Sequence, residues 1–127
     1  AVADANARAQ VLADALDRAT GTLLDSGKSP GRRVGQLDNR GSHYYIASYW
    51  AQELASQSAD PELAALFAPV AAALQADEAT IIAEIDATQG SPADIGGYYF
   101  PDPQKVAAAM RPSATLNSVI DGLAERA

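Results

Sequence analysis

Alanine is the commonest residue of this 127-residue chain, and the larger apolar residues around it recur three and four positions apart rather than two. Alanine has the strongest helix propensity and a poor strand preference. A spacing of three and four lines up one face of a helix, whereas alternation would mark a strand. No stretch alternates convincingly, and no unit repeats at a fixed period. The expected fold is therefore all-α, with about five helices and two long irregular loops.

The first helix is expected over about 4–24, with Val11, Leu12, Leu16, Leu23 and Leu24 on or near one face and Gly27 just beyond its end. Residues 26–42 follow as a loop rich in Gly, Ser, Pro, Asn and Arg, long for a compact domain and so a candidate for function. A second helix is expected over about 42–58, with Ile46, Trp50 and Leu54 every four residues. Asp60, Pro61 and Glu62 form a strong helix start: an N-cap acid, a first-turn proline and an acid near the positive helix end. The helix they open is expected to reach about residue 88, kinked at Pro69. A second irregular segment, 90–101, precedes a short helix opened by Asp102 and Pro103 and ended near Met110. The last helix carries Leu116, Val119, Ile120 and Leu123.

Bulk properties narrow the function classes. With 48% apolar residues the chain can build a core. It has no cysteine, which excludes disulfides and thiolate chemistry and fits a cytoplasmic protein. One histidine cannot make a histidine-rich metal cluster. No apolar run has the length of a membrane span, and no signal-peptide pattern opens the chain. Its first residue is Ala1 rather than methionine, as expected of a piece of a longer protein. A net charge of −7 argues against nucleic acid as a partner. Yet Lys28, Arg32, Arg33 and Arg40 place four of the nine basic residues within 13 positions, opposed there only by Asp38. Such a local cluster on an acidic protein suits a small anion or an acidic partner surface.

Each candidate site has a plainer reading beside it. The loop carrying Arg32 and Arg33 lacks the order of a P-loop or a Rossmann fingerprint. It offers guanidinium groups on a glycine-shaped backbone, suited to phosphate. The same arginines would equally serve as solvated charges paired with acids elsewhere. Arg40 either binds phosphate or locks the loop through Asp38. His43 falls in a first helical turn; it has the chemistry of a general base, but a lone histidine is more often structural. Tyr44, Tyr45, Tyr49 and Trp50 stand at helical spacing and are expected to pack, as are Tyr98, Tyr99 and Phe100. Gly96 and Gly97 would allow a tight turn or a close backbone approach. Glu84 and Asp86 point to different helix faces, and Asp77 and Glu78 are adjacent, so no acid pair resembles a catalytic or metal site. No catalytic residue and no metal ligand is assigned to this chain.

Three blocks carry a family resemblance: KSPGRRVGQLDNRGSHYYIASYWAQ over 28–52, DIGGYYFPD over 94–102 and MRPSATLN over 110–117. Together they resemble the C-terminal region of the monomeric isocitrate dehydrogenases, and the likeness covers nearly the whole chain, more loosely over 1–20. The resemblance implies that residues 1–127 form one helical segment on the cofactor side of a larger α/β enzyme. It implies oxidative decarboxylation of isocitrate to 2-oxoglutarate with NADP and Mg²⁺ or Mn²⁺, in the tricarboxylic acid cycle or glyoxylate bypass. It places the catalytic and metal-binding groups upstream, in the remainder of the polypeptide, so that this chain alone would be inactive. It puts a contact to the NADP 2′-phosphate on Arg32, with Arg33 and Arg40 as supporting charges. Gly31 stands where the resemblance leads one to expect serine, and should loosen the loop. A face stripped of its partner would favour self-association. The rival reading is a stand-alone helical module binding a nucleotide, an anion or a partner enzyme.

Overall fold

The computed structural model describes residues 2–126, with side chains described from residue 6 onward. It contains six helices and, among the described residues, no strand: α1 (Val2–Asp25), α2 (Asn39–Ser56), α3 (Pro61–Ala76), α4 (Glu78–Asp86), α5 (Pro103–Met110) and α6 (Ala114–Arg126). The all-helical expectation holds.

Helix α2 is the hub, packed between α1 and α3, while α6 lies across α3 and α4. It starts at Asn39, three residues before the expected Ser42, because Asp38 is its cap. The Asp38 Oδ1 accepts from the backbone N–H of Arg40 at 2.8 Å and of Gly41 at 3.1 Å. The helix buries residues on more than one side, Tyr44, Ser48 and Ala51 along one stripe and Tyr45 beside it. The Tyr44 hydroxyl donates to the Leu74 carbonyl and the Tyr45 hydroxyl to Glu78 Oε2 at 2.9 Å, so these rings reach the core with their polar tips satisfied. Val70, Ala71 and Leu74 of α3 and Ile81 and Ile85 of α4 complete that core.

The expected long third helix is instead two. Helix α3 runs unbroken through Pro69, and the sharp change of direction, 62°, comes at Asp77. Pro69 lies on the exposed side, where water can satisfy the carbonyl that loses its N–H partner. Asp77 leaves helical geometry at φ −100° and ψ 12°, closing α3 through its N–H to Ala73 and opening α4 through its carbonyl. The bend brings Ile81 and Ile85 beside Tyr44 and Tyr45.

Two apolar expectations also change. Among the described side chains of α1 the fully buried ones are Ala15 and Ala19, whereas Leu16 and Leu24 are exposed. Small side chains let α1 approach α2 closely, and the Trp50 Nε1 then donates to the Leu12 carbonyl at 3.1 Å. Tyr98, Tyr99 and Phe100 do not pack into this chain: they are 98%, 92% and 86% exposed. They stand at the tip of a loop closed at its neck by the Asp102 N–H donating to the Ile95 carbonyl at 2.7 Å. Gly96 sits in that neck at φ +82°, where an added Cβ would stand 3.0 Å from the Asp102 Cβ. The tip is thereby held out from the helical body. No single helix among the described residues is long and apolar enough to cross a membrane.

Candidate functional site

An open cleft of about 340 Å³ lies between the loop after α1, the turn after α4 and the end of α5. Arg32, Arg33 and Arg40 all line it, so the structure brings together the three arginines singled out in the sequence. Lys28, the fourth base of the cluster, turns away; its ammonium lies 4.6 Å from the centre of the Tyr45 ring.

The three arginines are not equivalent. Arg40 is half-buried, with four of its five N–H groups directed at fixed acceptors. Its Nε and Nη2 donate to Asp38 Oδ2 at 3.3 and 2.6 Å, and its Nη1 donates to Thr88 Oγ1 at 2.7 Å and to the Ala109 carbonyl at 2.9 Å. It therefore ties the start of α2 to the ends of α4 and α5. Burial alone would push the Asp38 carboxyl up; hydrogen bonds from Arg40, Gln89 and the Gly41 N–H, with the Arg40 charge, outweigh it and bring it down to about 2.

Arg32 and Arg33 are exposed and, among the described residues, neither guanidinium has an acid within ion-pair distance. Their backbone is nevertheless held. The Gln36 Oε1 accepts from both the Arg32 and Arg33 N–H at 3.1 Å, and the Gly31 N–H donates to the Leu37 carbonyl at 2.8 Å. Gly31 leaves room for the Gln36 side chain: a Cβ there would come 2.3 Å from the Gln36 Oε1 and 2.9 Å from its Cβ. Gln89, from the turn after α4, fastens the other side. Its Oε1 accepts from the Gly35 N–H at 2.9 Å, and its Nε2 donates to the Gln36 carbonyl at 2.9 Å and to Asp38 Oδ2 at 3.1 Å. Gln36, Thr88 and Gln89 were not found from sequence: Thr88 and Gln89 meet their partners 48 to 54 positions away, and Gln36, whose partners Arg32 and Arg33 are local, sits in an irregular loop with no helical spacing to mark it.

The cleft offers two free cationic groups, backbone shaped by glycine, and apolar surface from the exposed Val34 and Met110. It lies near the small end of ligand pockets, so it fits part of a phosphorylated ligand rather than a whole dinucleotide. Of its lining groups, the Asp38 carboxylate and the Thr88 hydroxyl are taken up by Arg40. His43 is exposed and, because α2 starts at Asn39, lies beyond the first turn in which it was expected; no grouping of His, Asp or Glu among the described residues is able to hold a metal ion. Glu84 works elsewhere: its oxygens accept from the Ser113 hydroxyl at 3.1 Å and the Thr115 N–H at 3.2 Å, capping α6. The Thr115 hydroxyl, first, and then the Thr115 N–H hold its carboxyl below the ordinary range.

Comparison with known proteins gives this cleft its context. The family model for monomeric isocitrate dehydrogenase matches residues 1–121. The isocitrate dehydrogenase [NADP] 2 of Colwellia maris is 56% identical over 123 residues, covering 97% of this chain and 17% of that protein. The isocitrate dehydrogenases [NADP] of Corynebacterium efficiens and Azotobacter vinelandii are 57% and 53% identical over 118 and 119 residues, covering 93% and 94% of this chain. The chain spans only 16% of each of those two. With nearly its whole length matched at this identity, the chain belongs to the monomeric isocitrate dehydrogenase family.

Proposed function

We propose that this chain is the helical segment that receives the adenosine 2′-phosphate of NADP in an isocitrate dehydrogenase, and that it does not turn over substrate alone. The carrying observation is the pair of exposed guanidiniums, Arg32 and Arg33, without acidic partners among the described residues, at an open cleft in a chain of this family. Relatives are named for NADP, and the 2′-phosphate is the only group by which NADP differs from NAD. Arg32 makes the main contact and Arg33 adds charge beside it. Arg40, its donors spent on Asp38, Thr88 and Ala109, holds the cleft wall.

Oxidative decarboxylation of isocitrate belongs to the intact enzyme. The residues described here do not fit the Mg²⁺ or Mn²⁺ that such chemistry uses, so the metal ligands are assigned to the remainder of the polypeptide. Residues 1–127 then act as one segment of the cofactor-side domain. The rival reading, a stand-alone binding module, is not favoured, because the match runs along the chain inside much longer enzymes.

The test is steady-state kinetics with NADP and NAD on the Arg32→Ala variant of the intact enzyme. A charge-assisted arginine–phosphate contact contributes about 1.5–3 kcal/mol, or roughly ten- to a hundredfold. The Michaelis constant for NADP should rise by that factor, while those for NAD and isocitrate hardly move. Equal losses for both cofactors would make Arg32 structural.

A further inference from the structure

We infer that Gln89, together with Gln36, positions the guanidiniums of Arg32 and Arg33 for the 2′-phosphate, and so sets cofactor preference without touching the cofactor. This rests on the reading of the cleft just given.

Arg32 and Arg33 are long, exposed side chains, and a loop that moved freely would have to be ordered each time a phosphate bound. Ordering costs affinity, and a loop held in its binding shape avoids that cost. Here the backbone beneath the arginines is fixed from both sides. Gln36 gathers the two successive N–H groups with one oxygen, and Gly31 leaves room for it. Gln89 then ties that same turn to the one that follows α4. Its oxygen takes the Gly35 N–H, and its nitrogen reaches the Gln36 carbonyl and Asp38. Gly35 has φ +89°, a left-handed turn that swings the chain back toward α2.

The chemistry demands an amide at position 89. One end must accept from a peptide N–H and the other donate to a carbonyl and a carboxylate, so the side chain replaces a missing backbone partner. Glutamate would supply no donor and would set a second negative charge against Asp38. Methionine would keep the length and neutrality but make none of these bonds. Gln89 therefore controls where the two charges stand, and its effect should be confined to the cofactor that carries the phosphate.

The experiment measures the dissociation constants of NADP and NAD by calorimetry on the intact enzyme and its Gln89→Met variant. The same pair is then measured in an Arg32→Ala/Arg33→Ala background. NADP binding should weaken about tenfold in Gln89→Met, with NAD changed by less than about twofold. In the arginine-free background the same substitution should change NADP binding by less than about twofold. Equal weakening of both cofactors, or an undiminished effect without the arginines, would overturn the positioning role. If the arginine-free enzyme bound NADP as tightly as the parent, the 2′-phosphate reading would fall and the role of Gln89 with it. Gln36→Met, at an exposed side chain, reads out the same prediction should Gln89→Met not fold.

Discussion

Asp38 and Arg40 show how much of the cleft depends on a single ion pair. Asp38 caps α2 with one oxygen and receives Arg40 and Gln89 on the other. Its depressed carboxyl favours the folded state while it is ionised, so the contribution is complete above about pH 4 and lost as pH falls toward 2. The difference from an ordinary carboxyl corresponds to about 2 kcal/mol. Asp38→Asn retains a good cap but removes the charge. In urea denaturation followed by the single tryptophan, Trp50, this variant should be less stable by about 1–2 kcal/mol at neutral pH, and the gap should close near pH 2. A gap independent of pH would reduce Asp38 to its capping role. The basic cluster was legible from its density in the sequence, but the division of labour within it was not. What separates Arg40 from Arg32 and Arg33 is the pair of acceptors Thr88 and Ala109, which lie 48 and 69 positions along the chain.

Helix starts were readable where an aspartate is followed by proline, at Asp60–Pro61 and Asp102–Pro103, whose carboxylates accept from backbone N–H groups of the first turn. The start of α2 was expected at Ser42 and comes three residues earlier, because Asp38, with no proline after it, is the cap. Bends and faces were not readable, because tertiary packing decides them. Proline at 69 carries the local signal for a kink, yet the turn comes at Asp77, where Ile81 and Ile85 must swing under α2. Leucine at 16 and 24 carries the signal for a buried face, yet the neighbouring alanines pack. A prediction follows for Pro69. Since α3 continues through it on the exposed side, its ring only removes a hydrogen bond there. Pro69→Ala restores the N–H and helix propensity, partly offset by a freer unfolded chain. Urea denaturation should show a gain of about 1 kcal/mol. A loss would mean that the proline shapes the helix after all.

The molecule as a whole exposes more surface than a chain of its size needs. A closed globule of 13.1 kDa has an accessible surface of about 6,400 Å², against 8045 Å² here. The difference is about twice the roughly 800 Å² that one partner contributes to a standard protein–protein interface. Part of the excess is conspicuous: Tyr98, Tyr99 and Phe100 at the loop tip, with Leu24 exposed at the end of α1. In relatives about six times longer, a segment of this kind sits within a larger body. Such aromatics suit burial against another surface. Taken alone, the chain should use the same patch to bind copies of itself, since exposed apolar patches of this kind drive association. Replacing Tyr98, Tyr99 and Phe100 together by serine should leave the helices intact, because the loop is closed through backbone atoms of Ile95 and Asp102 rather than through these rings. Sedimentation velocity over a range of concentrations should then show the parent chain moving to larger species as concentration rises, and the triple variant remaining monomeric. Association of both to the same extent would place the adhesive surface elsewhere, with the exposed leucines of α1 the next to test.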